Sequence, residues 1–182
     1  MSKVVIAGDA SGTGTFTISA PNGNTDRTLV LPDEAGTIIT TAGVPASAMP
    51  AGSVIQVVST SGTAVVSGVG SATILTLAIT PSSTSNKILV LASAALDAVV
   101  GSNAYSDLRI HRNTNNIMFQ YNGTSGSGGG NHSSSYGLSV LDSPSSTASV
   151  TYELIGARSS GGTTNWSTAG SGYSLILMEI AA

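Results

Sequence analysis

An all-β fold, built mainly as an antiparallel β-sandwich, follows from three features of the sequence. β-prone runs recur at short intervals from Ser53 onward, Thr, Ser, Val, Ile and Gly dominate where a helix would need stronger formers, and no segment sustains i, i+3, i+4 apolar spacing between caps.

The runs that define the sandwich are Val54 to Val58, Ala64 to Ser67, Ile74 to Thr80, Ile88 to Leu96, Ala104 to His111, Ile117 to Tyr121, Tyr136 to Leu141, Ser149 to Gly156 and Tyr173 to Ile180. They predict about nine strands within residues 53–182. The stretch Ala92 to Val100 is the best helix alternative, but it continues the preceding strand too directly to be one. Asn122 to Ser135, rich in Gly and Ser, reads as a long loop between strands and as the place for variable surface.

Ahead of the sandwich, residues 1–43 form a separate β-rich segment. Lys3 to Ala7 and Thr13 to Ser19 are β-prone, and the stretch TLVLPDEAGTIIT predicts a hairpin in which Leu29 and Leu31 precede the Pro32 to Gly36 turn and Ile38 and Ile39 begin the return. Such a segment, about 40 residues long with about ten sizeable apolar side chains, is too small to fold alone without disulfides or metal, and identical copies from neighbouring chains are the simplest missing partner. Residues 44–52, with two prolines among small residues, have linker composition.

Composition narrows the function. Of the 182 residues, 41% are hydrophobic and 8% charged, against ~25% charged in an average soluble domain. Six basic residues against nine acidic ones give a formal charge of −3, with no basic cluster, which argues against nucleic-acid binding. Cysteine is absent, which removes disulfides and thiolate metal sites. No apolar run approaches the ~20 residues that span a bilayer, and MSKVVIAGDASG lacks the apolar core of a secretory leader, so neither membrane insertion nor ordinary secretion is expected.

Chemistry-bearing motifs are weak. Gly12-Thr-Gly14 and Gly126-Ser-Gly-Gly-Gly130 lack the strand-to-helix setting that lets a glycine loop bind phosphate. His132 stands beside three serines, but a Gly-rich loop supplies little of the orientation a nucleophile and base require. Nor do the scattered carboxylates show calcium-loop spacing. The expectation is therefore a non-enzyme without metal or cofactor. Alternation puts Arg109 and His111 on one face of a strand and Leu108, Ile110 and Arg112 on the other, with His111 expected to pair at the surface with Asp107 or a neighbour, or else to make a polar contact across a subunit interface. Glu179, inside the most apolar strand, needs a partner such as Arg109 or Arg158 if buried. Among the aromatics, Tyr121 and Trp166 are the candidates for exposure, and with His132 they form the candidate ligand or partner contact set.

Two parts of the chain resemble a known family. Arg27 to Gly43, with an apolar pair, Pro-Asp, a small residue, Gly-Thr and a second apolar pair, resembles the short β-repeat of tailed-bacteriophage fibre proteins. Pro50-Ala-Gly-Ser-Val-Ile-Gln-Val-Val58, Ile79-Thr-Pro-Ser-Ser-Thr-Ser-Asn-Lys-Ile-Leu-Val90, Leu108-Arg-Ile-His-Arg112, Leu141-Asp-Ser-Pro144, Val150-Thr-Tyr152 and Leu177-Met-Glu-Ile180 resemble a C-terminal domain of fibre proteins from marine and cyanobacterial phages. The resemblance implies a jelly-roll head assembled as a homotrimer on the particle exterior. It also implies that the N-terminal residues Leu29, Leu31, Ile38 and Ile39 serve assembly with other virion proteins. One copy of the repeat and a short chain fit a head fibre, a capsid decoration or a small tail-tip component. Recognition of host-surface glycan is the alternative, ahead of a polysaccharide depolymerase or a bacterial adhesin.

Overall fold

The computed structural model describes residues 11–15, 17, 19, 22–26, 28, 44, 48–63, 66–68, 70–100, 104–124, 130–160, 163–166 and 172–182. The chain divides into two compact units, Met1–Ile38 and Ile39–Ala182. Leu29, Leu31, Ile38 and Ile39, expected to serve assembly, lie outside the described residues.

Within the second unit the strands are β1 (Val54–Gly62), β2 (Val66–Gly68), β3 (Ser71–Ile79), β4 (Lys87–Val100), β5 (Ala104–Arg112), β6 (Asn115–Thr124), β7 (Gly130–Asp142), β8 (Val150–Ser160), β9 (Thr163–Trp166) and β10 (Tyr173–Ile180). Among the described residues every strand pairing is antiparallel, and no helix is long and apolar enough to cross a membrane. The sheets have the orders β1-β10-β4-β9-β2, with β7 also on β4, and β3-β8-β5-β6.

The larger sheet is four strand positions wide. Strand β4 pairs β7 along one side over its whole length, while its other side pairs β10 from Lys87 to Ser93 and then β9 from Leu96 to Val99. In the same way β1 lies on β10, and β2 lies on β9. Each of these pairs, β1 with β2 and β9 with β10, occupies a single position across the sheet. Counted so, the two sheets hold four positions each, and every connection passes from one sheet to the other except the β5–β6 hairpin. This is the double Greek-key order of a jelly roll.

Alternation explains the core. Ile88, Val90, Ala92 and Ala94 of β4 and Tyr173, Leu175 and Leu177 of β10 point inward to meet Ile74, Leu108, Ile110, Tyr152 and Leu154 from the other sheet. The β5–β6 hairpin turns on Asn113 (φ 46°) and Thr114 (φ 74°), the two successive positive φ values of a tight primed turn. Asn113 is also tied to β8, donating its backbone N–H to Thr151 O at 2.9 Å and accepting from Thr151 N at its Oδ1 at 3.1 Å.

Several expectations are corrected. Strand β6 runs to Thr124 and β7 starts at Gly130, so much of the Asn122 to Ser135 stretch is strand, because β4 is long enough to pair with it as far as Gly130. His132 thereby lies in β7, and Trp166 lies in β9, a strand absent from the sequence reading.

Candidate functional site

Among the described residues, the hydrogen-bond networks of Glu179 and Asp142 gather at the end of the sandwich where β1 begins and β10 finishes. There Gly52 N donates to Ala181 O at 2.8 Å and Ala181 N donates to Ser53 O at 2.9 Å, extending the β1–β10 ladder past both strand ends. Alternation turns Glu179 of β10 inward, and it is fully buried.

Four neutral donor contacts surround that carboxylate. Oε2 accepts from Gln56 Nε2 at 2.6 Å, and Oε1 accepts from Ser82 N at 2.7 Å, Ser82 Oγ at 2.8 Å and Asn86 Nδ2 at 2.7 Å. The expected arginine partner is thus corrected: Arg109 is engaged by Asp107, and hydrogen bonds take the place of a countercharge. Burial works to raise the Glu179 pKa, but the hydrogen bonds from Asn86, Gln56 and Ser82 together outweigh it and hold the group below the usual glutamate range. The donors are themselves fixed, since Gln56 Nε2 also donates to Thr80 O at 2.7 Å and Asn86 Oδ1 accepts from Ala182 N at 3.2 Å.

A second inward carboxylate sits in the same row. Ile88 pairs with Glu179 on one side and with Asp142 on the other. Asp142 receives Arg112 Nη1 at 2.8 Å on each oxygen and the Tyr152 hydroxyl at 2.6 Å on Oδ2. Because Asp142 belongs to the larger sheet and Arg112 and Tyr152 to the smaller, these bonds join the two layers. Burial first, and then the hydrogen bond to Asp142, push the Tyr152 pKa far up. Beside the Glu179 network, a cavity of about 290 Å³ is lined by Met49, Ser82, Ser83, Ser85, Asn86 and the last two residues.

On the outer face of the smaller sheet, Arg109 Nε and Nη2 donate to the two Asp107 oxygens at 2.7 Å each, so the pairing with Asp107 expected for His111 is corrected: Arg109 takes both carboxylate oxygens. The hydrogen bond to Asp107 raises the Arg109 pKa against the effect of burial. His111 Nε2 is shielded from solvent and has no hydrogen-bond partner.

The candidate contact residues are not brought together. Tyr121 pairs with Asp107 in the smaller sheet, whereas His132 pairs with Ala98 and Trp166 with Leu96, flanking β4 in the larger one. Phe119, an aromatic for which core or interface packing is the expectation from sequence, is instead 62% exposed and paired with Arg109. Its place two residues before Tyr121, on the same face by alternation, was a usable signal. Among the described residues no group of three or more His, Cys, Asp or Glu could hold a metal ion.

No protein-family model and no curated protein matches the chain. Among solved structures, similarity extends to infectious bursal disease virus of the Gx strain (TM-score 0.37, 11% identity, covering 71% of this chain and 39% of that one) and of the Gt strain (0.37, 12%, 71% and 39%). The VP2 subviral particle of the same virus gives a TM-score of 0.34 at 10% identity, covering 71% and 38%. The chain thus spans about two fifths of the length of the chains it matches.

Proposed function

We propose that this chain is an exterior structural component of a tailed-bacteriophage virion, a short homotrimeric fibre or decoration protein. One observation carries the reading. The separate stretches through which the sequence resembles phage fibre domains converge at one end of the jelly roll, where they supply Gln56, Ser82, Asn86, Arg112, Asp142, Tyr152 and Glu179 to its polar networks. A shared pattern used to close a fold from both sheets marks a common architecture better than scattered identities would. In this reading, residues 1–43 attach the head to other virion proteins.

An antibody against the full-length chain is expected to label intact particles in electron micrographs, and light scattering is expected to give three times the 18.0 kDa chain mass. Particles that stay unlabelled while the protein accumulates in infected cells would sink the proposal.

The second reading is glycan recognition, favoured by Phe119 standing exposed beside the Arg109–Asp107 pair. An aromatic face next to fixed hydrogen-bonding groups is what a sugar ring needs for stacking and orientation. Phe119→Ala should then lower adsorption of the trimer to host cells at least tenfold; unchanged adsorption removes this reading.

A further inference from the structure

The outer face of the larger sheet carries a row of four large apolar side chains, one from each strand position. Val57 pairs with Met178, Met178 with Leu89 and Leu89 with Leu141. All four occupy positions alternating with core residues, and the two at the edges, Val57 and Leu141, are each 53% exposed. In the next row Ile176 and Leu91 stand side by side between Ser59 and Ser139.

We infer that this face is the surface through which copies of the chain assemble around a threefold axis, an inference that rests on the trimeric reading above. Electrostatics favour an identical partner. Over the stretch where β4 pairs with β10, Lys87 is the one charged residue at the outward positions, Asp97 lying farther along β4, so apposed copies bring little like charge together there.

Dimensions favour three copies. Four strand positions spaced about 4.8 Å apart make a face about 19 Å wide, and eight residues at about 3.3 Å each make it about 26 Å long, roughly 500 Å² per copy. Three copies then remove about 1,500 Å² from water in total, about 500 Å² at each of three pairwise contacts, against about 1,000 Å² for two copies face to face. Three such faces closing a triangle leave its centre about 5.5 Å from each backbone plane, given the same strand spacing. That is the reach of a leucine or methionine side chain. Leu89 and Met178, on the two central positions, therefore fill the axis. Val57, at the β1 edge of one copy, meets Leu141 at the β7 edge of the next.

The arrangement is head-to-tail, which gives it a test that face-to-face pairing fails. The chain has no cysteine, so introduced thiols have no native competitor. In the full-length protein, V57C/L141C together should yield a covalent trimer on mild oxidation, lost on reduction, whereas V57C or L141C alone should yield none. A covalent dimer from V57C alone would mean isologous contact and overturn the threefold arrangement. If light scattering finds a trimer and no variant cross-links, the face is not the interface and the inference falls while the trimeric reading stands. A monomeric wild-type protein would remove both.

Discussion

Asn86 donates from Nδ2 to Oε1 of Glu179 at 2.7 Å across a sequence separation of 93 residues. The bond fixes the start of β4 to the end of β10 by neutral donation into a buried charge. Because every donor to Glu179 is neutral, the carboxylate cannot be replaced by an amide without loss. Glu179→Gln would turn an NH₂ group toward Gln56, Ser82 or Asn86, each already a donor there. We expect a destabilisation of about 2–4 kcal/mol. Urea unfolding at neutral pH measures it, and a variant as stable as wild type would show that the charge is dispensable.

The same network predicts acid sensitivity. The folded-state pKa of Glu179 is depressed below the ordinary glutamate value of 4.5, so the stability it contributes is fully present above that pH and is lost as pH falls through the folded value. The stability gap between wild type and Glu179→Gln should therefore narrow steadily below about pH 4.5. Paired urea titrations between neutral and acid pH check this, and a gap that widens on acidification contradicts it.

Tyr152 offers a test of the bond between layers. Its hydroxyl donates to Asp142 Oδ2 at 2.6 Å from a fully buried ring, so Tyr152→Phe keeps the packing and deletes one charge-assisted hydrogen bond. The expected cost is about 1.5–3 kcal/mol. In wild type the raised Tyr152 pKa means that its stability contribution is present below about pH 10 and is lost as pH rises beyond it. Tyrosinate absorbance followed against pH should show a component for Tyr152 that ionises only on unfolding, and that component should be missing in Tyr152→Phe.

How much of this was legible follows from the range of the forces involved. Period-two alternation is local, so the sequence predicts Tyr173 to Ile180 with the bounds the strand has, and separates Arg109 from Arg112 onto opposite faces. Strand β9, Thr-Thr-Asn-Trp, carries too little apolar signal by itself and exists through its pairing with Leu96 to Val99. The same override makes strand of Gly130 to Ser135, where composition argues for loop. The partners of Glu179 were illegible for a different reason. A search for countercharge looks among arginines, whereas the register places Gln56 opposite Glu179 and the β3–β4 connection brings Ser82 and Asn86 to its other oxygen.

The β5–β6 turn supplies the remaining prediction. Thr114 holds a φ of 74°, where its branched Cβ crowds the backbone, and its side chain is exposed. Asn113, at φ 46°, is a residue type that tolerates this region and is held by Thr151, so the strain resides at Thr114. Thr114→Gly relieves roughly 1–2 kcal/mol of left-handed strain and gives back about 0.5–1 kcal/mol through the greater freedom of the unfolded chain. The balance is a stabilisation of about 0.5–1 kcal/mol. Asn-Gly is also the sequence that primed two-residue turns favour. Denaturant midpoints of the two proteins decide the matter: a lower midpoint for Thr114→Gly would mean that Thr114 makes a stabilising contact that outweighs its backbone strain.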